Sequence, residues 1–385
     1  MIARVFACLM LLTCPAVAQD VAAIAYLGLE DDPYYEPQPV YTGLSLRDRE
    51  RPLDGARLGV RDSRVLGRAL GVKFELIEVL ATPEGFTDVL SDLKATQPLA
   101  ILIDLPAKLM AQAVAETGSD DLLINIRDGS DRWRGPDCAP HLLHTAPSDA
   151  MRSDALAQYL RSRGWDDVLL VHGPTEADIA QAATARTSAA KFGLKIVDQR
   201  AFELTNDPRR RNKSNIALLT GGARYDTVWL IDDQGDFGRY LPYATYAPRP
   251  VIGSEGLGPH AWHWTFERYG APQLNQRFRR VADRDMSSDD WAAWVATKVI
   301  AEAVVGAGTA DRGAVHRALR APELSVDLYK GVRGNFRDWD GQLRQPILLA
   351  TQNAVIAVAP IDGFEHQFDT LDTLGPDRDD STCKR

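Results

Sequence analysis

Short apolar runs alternate with segments of helical spacing along most of the chain. A run such as Ala100–Asp104 is typical of a strand that is buried on both faces of a parallel sheet. Segments such as Leu53–Leu70 carry apolar residues every three to four positions, which predicts helices. The repeated strand-helix order predicts an α/β fold in which helices cover both faces of a parallel sheet. The strands predicted in the first half of the chain are 22–29, 72–79, 100–104 and 122–126.

The same pattern restarts in the second half of the chain, after Ser148, which is a predicted helix cap. Strands are predicted there at 168–172, 194–202, 225–231 and 250–253. The end of the chain differs, because antiparallel hairpins are predicted at 332–338, 347–351 and 354–359. Two similar α/β units predict two doubly wound parallel-sheet lobes, joined by a hinge, with a cleft between them.

The predicted division of the chain follows from this restart. Lobe 1 comprises 19–146 and 270–330, lobe 2 comprises 147–269 and 331–361, and a C-terminal tail comprises 362–385. We expect the chain to cross between the lobes three times, near 144–148, 268–272 and 330. Three crossings permit the lobes to rotate and to close over a ligand.

The first residues of the chain predict an export signal. Arg4 gives a positive start, 5–14 forms an apolar core, and the Ala-Val-Ala at 16–18 matches a cleavage site. We expect residues 1–18 to be removed and the mature protein to begin at Gln19 in the periplasm. The apolar core is too short to span a bilayer, and no other segment predicts a membrane span.

Composition and net charge say more about which molecules the protein can bind than about its fold. The chain has 385 residues, of which 45% are hydrophobic and 25% charged, as is ordinary for a globular protein. Its 44 Lys and Arg residues against 53 Asp and Glu residues give a net charge of −9. An acidic chain without a long basic run is a poor candidate for nucleic-acid binding, so we expect none. An anionic ligand would need a locally positive pocket.

Export also determines which cysteines remain in the mature protein and whether they can form a disulfide. Cys8 and Cys14 leave with the signal, so Cys138 and Cys383 remain in an oxidising compartment. The simplest expectation is a disulfide between them, which would tie the C-terminal tail to the loop before the second lobe. Two unpaired thiols are the alternative.

The sequence carries no recognisable set of catalytic groups. There is no phosphate-binding loop, no G-x-G-x-x-G after a strand and no G-x-S-x-G elbow. An S-x-x-K occurs at 188–191, but it lies on a helix that is predicted to run away from the cleft. The two H-x-x-H pairs, at 141–144 and 260–263, lack a third ligand at a recognisable spacing. We therefore expect neither an enzyme nor a metal site nor a catalytic cofactor.

Two loops of unusual composition lie where a ligand is expected. In open α/β sheets, ligands bind beyond the carboxyl ends of the strands. The loop 127–134 holds three arginines and a tryptophan, and 259–266 concentrates aromatic residues. Guanidinium groups bind carboxylates and indole rings stack on flat ligands, so this combination suits a planar polyanionic aromatic molecule. Alternatively, the arginines form a solvated rim and the tryptophans belong to the core.

Several longer strings of the sequence resemble a known family. The exported N-terminus, the two α/β halves and the hairpin GNFRDWDG at 334–341 resemble the type I periplasmic solute-binding proteins of ABC importers, the branched-chain amino-acid-binding class. One subgroup is more similar, through CAPHLLHTAPS at 138–148, VWLIDDQGDFGRYLP at 228–242, PRPVIG at 248–253 and Cys383. That subgroup is encoded with pyrroloquinoline-quinone-dependent alcohol oxidation systems.

This resemblance implies a monomeric periplasmic binding protein that delivers a small molecule to the membrane subunits of an ABC transporter. Pyrroloquinoline quinone, a flat quinone with three carboxylates, is the implied ligand, as a bound molecule and not as a catalytic cofactor. The alternative is a branched-chain amino acid, an amide or another small aromatic acid. The loops 104–106 and 127–134 depart from those of amino-acid binders, which favours the quinone. A periplasmic enzyme of the same fold is less favoured.

The residues expected to bind this ligand come mainly from the unusual loops. We expect Trp133 and one of Trp262 or Trp264 to stack on the ligand, with His144 and Asp233 as polar contacts. The full set is Arg127, Arg132, Trp133, Arg134, His144, Asp233, Phe237, Arg239, Trp262 and Trp264.

Overall fold

A computed structural model describes the protein at residues 20–37, 39, 43–47 and 49–385. The predicted export signal, 1–18, and the expected mature start at Gln19 lie outside the described residues. Within the described residues, no single helix is long and apolar enough to cross a membrane. One pair of helices, Ser288–Ala307 and Arg312–Arg320, has that length and composition only when the two are taken together across a bend of 108°.

The first lobe contains a parallel sheet with helices on both faces. Its strands are β1 (Asp20–Leu29), β2 (Val72–Ala81), β3 (Ala100–Asp104), β4 (Leu123–Asn125) and β5 (Leu142–His144). The helices between them are α1 (Leu53–Leu70), α2 (Phe86–Ala95) and α3 (Ala107–Glu116). The strands lie in the order β2-β1-β3-β4-β5, and all neighbours are parallel.

Burial of both sheet faces explains why the central strands are almost entirely apolar. In β1, Ile24 and Tyr26 face the core beneath α1, whereas Ala25 and Leu27 face the core beneath α2 and α3. Alternate side chains of one strand therefore serve two separate cores. The strands run in one direction, so their carboxyl ends meet at one edge of the sheet, which faces the cleft.

The second lobe repeats this plan with shorter helices on one face. Its strands are β6 (Asp167–His172), β7 (Lys195–Ala201), β8 (Thr227–Ile231) and β9 (Val251–Gly253), in the parallel order β7-β6-β8-β9. Its helices are α4 (Asp149–Arg163), α5 (Glu176–Lys191), α6 (Arg211–Ser214), α7 (Ile216–Thr220) and α8 (Leu241–Ala244). The Ser148 side chain accepts a hydrogen bond from the Met151 backbone N–H, so α4 begins at its predicted cap.

The rest of the chain contributes to both lobes. This part contains β10 (Gly258–His260), α9 (Ala271–Ala282), α10 (Ser288–Ala307), α11 (Arg312–Arg320), β11 (Val326–Asp327), β12 (Arg333–Gly334), β13 (Ile347–Thr351) and β14 (Ala354–Ala359). α10 packs so closely on α1 that a Cβ atom at Gly55 would lie only 2.1 Å from the Asp290 carbonyl oxygen. β13 lies between the lobes, since Leu348 belongs to the first lobe's core and Ile347 and Leu349 belong to the second lobe's core.

The predicted α/β fold with two parallel-sheet lobes is confirmed, and most predicted elements lie close to their observed bounds. The elements that the pattern does not predict are short ones, namely β5, β10, β11, α6, α7 and α8. A strand expected at 332–338 is reduced to β12, which pairs with β11. The domain boundaries stay a prediction.

The C-terminal tail is attached to both lobes. The predicted disulfide between Cys138 and Cys383 is present. Earlier in the tail, the Gly375 backbone N–H donates to the Asp154 carboxylate on α4 at 2.8 Å. The tail therefore runs from a helix of the second lobe to the loop that precedes β5 in the first.

Candidate functional site

A cavity of about 560 Å³ lies where the two lobes face each other. This volume falls in the range of roughly 300–1,000 Å³ that is usual for small-molecule sites. On the first lobe's side, Arg47 and Arg49 line the cavity from the segment between β1 and α1. The second lobe supplies Arg152 on α4, Asp233 after β8 and Glu255 after β9. The cavity thus lies at the carboxyl ends of the second lobe's strands, as expected for this fold class.

Two ion pairs cross the cavity from one lobe to the other. Arg49 Nη2 donates to Asp233 Oδ1 at 2.8 Å, and Arg47 Nη2 donates to Glu255 Oε1 at 3.3 Å. All four side chains are partly exposed, from 24% for Arg49 to 47% for Asp233. Ion pairs that are open to solvent contribute only about 0.2–1 kcal/mol each. These two pairs therefore hold the lobes together weakly and leave the guanidinium groups available for exchange.

The second lobe adds a further arginine with a partly buried carboxylate beside it. Within α4, Arg152 Nη1 donates to Asp149 Oδ1 at 3.3 Å. Burial raises the pKa of Asp149, and the charge of Arg152 opposes that shift. Burial also raises the pKa of Asp232, which accepts hydrogen bonds from the backbone N–H groups of the loop after β8. Arg152 thus lies at the cavity beside a carboxylate whose charged form it favours.

Two histidines, His260 and His263, line the cavity on the side of β10. Their ring centres lie 5.3 Å apart in an edge-on arrangement. Burial lowers the pKa of His260 to about 4, and the nearby His263, Arg152 and Arg47 add to that shift. The His260 ring is therefore neutral at neutral pH. Within the ranges that the structure describes, no group of three or more His, Cys, Asp or Glu side chains could hold a metal ion.

Lowering the pH is expected to destabilise the protein through His260. Its folded pKa is about 4, whereas an unfolded chain protonates histidine near pH 6.5. Between about pH 6.5 and 4 the unfolded state binds more protons, so the free energy of unfolding falls by about 1–3 kcal/mol as the pH falls. Urea unfolding of the wild type and His260→Gln, at about pH 7 and about pH 4.5, measures this. An equal loss in both proteins would contradict the assignment.

The ten residues predicted to bind the ligand do not come together at the cavity. Of these ten residues, all of which the structure describes, Asp233 lines the cavity and the other nine do not. Trp264 lies next to the cavity, 39% exposed, with its ring 6.0 Å from that of His263. Arg239 instead pairs with Asp236 at 3.4 Å on the loop after β8.

Three of the predicted residues support the crossing between the lobes. Arg134 is buried, and its Nε donates to Gln342 Oε1 at 2.9 Å. His144 is fully buried, with Nδ1 3.1 Å from Asn125 Nδ2 and Nε2 3.2 Å from the Trp133 carbonyl oxygen. The Trp133 side chain is itself 2% exposed. The polar groups of Arg134 and His144 are therefore bound by the protein itself in this structure, and their role in ligand binding stays a prediction.

Other predicted residues lie in the cores or on the surface. Trp262 is 1% exposed in the first lobe's core, and Phe237 stacks on Phe202 at 4.3 Å in the second lobe's core. Arg132 is half exposed and pairs with Asp137. Trp133 and Trp262 are both buried in the structure, whereas Trp264, the other residue expected to stack with Trp133, is 39% exposed. The expected stacking pair stays a prediction. Arg132 fits the alternative of a solvated rim, and Trp133 and Trp262 fit that of core tryptophans, whereas Arg127 and Arg134 are buried.

Arg127 lies after β4, at the cleft-facing edge of the first sheet, but its neighbours occupy it. Its Nη1 donates to Asp32 Oδ2 at 2.6 Å and lies 3.0 Å from Asp104 Oδ1. The Tyr35 hydroxyl also donates to Asp104, and the Tyr34 ring centre lies 4.8 Å from the guanidinium. The segment after β1 thus covers this part of the first lobe.

No sequence pattern identifies Arg47, Arg49 and Arg152 as binding residues. Arg47 and Arg49 lie far along the segment after β1, and only the course of that segment across the cleft brings them to the cavity. Arg152 forms an Asp-x-x-Arg pair on a helix, which resembles an ordinary surface pair. One sequence feature could have identified Arg152, namely the strand-helix pattern that begins again after Ser148. A helix that starts where the chain crosses between the lobes has its first turns beside the cleft.

Comparison with known proteins identifies the fold. Neither protein-family models nor curated proteins match the chain in sequence. Among solved structures, the leucine-, isoleucine-, valine-, threonine- and alanine-binding protein from Brucella ovis, in a closed conformation, has a TM-score of 0.68. It is 15% identical, over 95% of this chain and 100% of that chain.

Two further structures are similar over the same share of this chain. A periplasmic binding protein from Burkholderia mallei has a TM-score of 0.64 at 14% identity, over 95% of this chain and 99% of that chain. A solute-binding protein of an ABC transporter from R. palustris, in complex with benzoate, has a TM-score of 0.63 at 12% identity. That match covers 95% of this chain and 100% of the other. At these identities the likeness shows the fold, and the chain has the fold of type I periplasmic binding proteins.

Proposed function

We propose that the chain is the periplasmic solute-binding protein of an ABC importer and that it binds a small organic acid in the cavity between its lobes. The observation that carries this proposal is a set of three arginines, Arg47, Arg49 and Arg152, which reach one cavity from both lobes. Guanidinium groups bind carboxylates through paired, charge-assisted hydrogen bonds. Asp149, Asp232, Asp233 and Glu255 also line the cavity, so its lining is not positive as a whole. An acidic ligand would therefore bind by replacing one or more of these carboxylates as the partner of an arginine.

The structural neighbours support amino acids and small aromatic acids as the ligand class. The Brucella ovis protein is an amino-acid-binding protein, and the R. palustris protein is in complex with benzoate. An amino acid would bind an arginine with its carboxylate, and Asp149, Asp233 or Glu255 with its ammonium group. An aromatic acid would bind an arginine likewise, with its ring against the apolar wall that includes Leu156 and Pro259.

Pyrroloquinoline quinone is the second candidate ligand, as a transported molecule and not as a catalytic cofactor. Its three carboxylates equal in number the three arginines of the cavity. The neighbours give it no support, and Trp133 and Trp262, expected to stack on it, are buried. It therefore ranks below an amino acid or a small aromatic acid.

The partners that this proposal implies are the membrane subunits of an ABC transporter. From the sequence we still expect the protein to be a monomer and to bind no nucleic acid. A periplasmic enzyme of the same fold is the alternative from a different class. Turnover of a bound compound by the purified protein would favour the enzyme, whereas release of the compound unchanged supports a binding protein.

Calorimetric titration of the purified protein with leucine, benzoate and pyrroloquinoline quinone tests the proposed function. We expect one of these acids to bind and to raise the melting temperature. Its affinity should fall at higher salt, because salt screens the attraction between carboxylates and arginines. Mass spectrometry of any molecule that co-purifies identifies the ligand directly. If no acid binds and none co-purifies, the proposed function is wrong.

A further inference from the structure

The segment between β1 and α1 covers the place where the first lobe's strands would meet a ligand. Asp104, at the end of β3, is fully buried and accepts hydrogen bonds from the hydroxyls of Tyr26 and Tyr35. Arg127 pairs with Asp104 and with Asp32. None of these five residues lines the cavity, as far as the structure describes the chain. Their polar groups are engaged with one another, so the first lobe's strand ends have little to offer a ligand.

Farther along the same segment, Arg47 and Arg49 reach the second lobe. Arg47 Nη2 lies 3.5 Å from the carbonyl oxygens of Asp232 and Ser254, which hold it beside the loops after β8 and β9. The Arg49 guanidinium lies 4.4 Å from the centre of the Tyr34 ring. Both guanidinium groups are thus positioned by the protein while their side chains remain 33% and 24% exposed at the cavity. They are the first lobe's contribution to the cavity wall.

We propose that Arg47 and Arg49 select the ligand, and that an acid with two carboxylates binds by replacing Glu255 and Asp233 as their partners. This inference rests on the proposed function and narrows its ligand class. The two guanidinium groups already hold two carboxylates, at 3.3 and 2.8 Å, and a dicarboxylic ligand would present the same groups to them. Partly exposed ion pairs are weak, so the exchange of one carboxylate for another is favourable when the ligand supplies further contacts.

If the ligand replaces Asp233 as the partner of Arg49, substitutions at Asp233 and Arg49 should change ligand affinity in opposite directions. An ion pair with a purely structural role would not have this effect. After replacement, the Asp233 carboxylate remains near the ligand carboxylate and repels it. A neutral side chain at this position removes both the competitor for Arg49 and the repulsion. Asp233→Asn should therefore strengthen binding of the acid, whereas Arg49→Gln should weaken it.

Calorimetric titration of the full chain with isophthalate and with benzoate compares two probes that share a ring and differ by one carboxylate. We expect isophthalate to bind the wild type roughly tenfold more tightly than benzoate. Arg49→Gln should lower the isophthalate affinity roughly tenfold, and Asp233→Asn should raise it by roughly threefold or more. Arg57→Gln is the matched control, because Arg57 is an exposed arginine on α1 that pairs with Glu78 outside the cavity. It should leave the affinity unchanged.

Three results would overturn the inference: isophthalate binds no more tightly than benzoate, Arg49→Gln leaves its affinity unchanged, or neither acid binds. The proposed function has a separate readout. Binding of leucine or benzoate that depends on Arg152 but not on Arg49 would overturn the inference and leave the proposed function in place. Failure of every acid, including leucine and pyrroloquinoline quinone, would overturn both.

Discussion

Replacing Arg337 with methionine is expected to lower the free energy of unfolding by about 3–5 kcal/mol, because it breaks a buried ion pair. The Arg337 side chain is fully buried, and its Nε donates to Asp372 Oδ1 at 2.8 Å. Its Nη2 donates to the carbonyl oxygens of Leu371 and Leu374. The change would remove one donor from each of these carbonyl groups, although the Leu371 carbonyl oxygen would still accept from the Leu374 backbone N–H. The buried Asp372 carboxylate would keep Arg344 as its partner. These contacts attach the tail to the hairpin beside the hinge, so the loss should be large.

Arg378→Met is the matched control for this prediction. Arg378 and Arg337 both lie over the Trp339 ring, but Arg378 is 57% exposed and pairs with Asp338 on the surface. We expect its replacement to change stability by less than about 0.5 kcal/mol. Urea unfolding of both variants, followed by circular dichroism, gives the comparison. Similar losses in the two variants would contradict the assignment of Arg337 as the buried anchor of the tail.

Removing the disulfide, by Cys138→Ser together with Cys383→Ser, is expected to lower stability by up to about 5 kcal/mol. The bond joins residues 245 positions apart, and closing so long a loop strongly restricts the unfolded chain. The loss should stay below that upper figure, because the polar end of the tail regains part of its freedom in the folded state as well once the bond is removed.

Urea unfolding of the oxidised wild type, the reduced wild type and the double variant measures the contribution of the disulfide. We expect the reduced wild type and the double variant to unfold at similar, lower urea concentrations. Thiol titration of the unreduced, denatured wild type is the check on the bond itself. Two reactive thiols there would show that Cys138 and Cys383 are unpaired.

The fold is predictable because its long elements carry strong local patterns. The pattern predicts α1 and β3 with the bounds that the structure has, since helical spacing and a fully apolar run are visible without the rest of the chain. β5 has only three residues, and its pairing with β4 depends on distant parts of the chain. Elements as short as α7 and α8 have no full turn pattern to detect, which explains why they are missed.

The site is less predictable than the fold, for a physical reason. Asp233 follows a strand of the second lobe, so the general rule for open sheets finds it. The arginines at 127–134 are conspicuous in composition, yet Arg134 donates to Gln342 and to backbone carbonyl groups inside the hinge. Composition alone does not distinguish an arginine that faces a cleft from one that satisfies buried acceptors. Arg47 reaches the cavity through the path of a long connection, which no local pattern specifies.

Calorimetric titration of Arg152→Gln, with the acid that binds the wild type most tightly, is the most direct test of the proposed function. Arg152 pairs with Asp149 within its own helix, so its removal leaves the ion pairs between the lobes in place. We expect roughly a tenfold loss of affinity, from the loss of a charge-assisted hydrogen bond. Arg161→Gln, an exposed arginine of the same helix that pairs with Asp166, should bind as the wild type does. Equal affinity of Arg152→Gln and the wild type would contradict the claim that arginines from both lobes bind the ligand in this cavity.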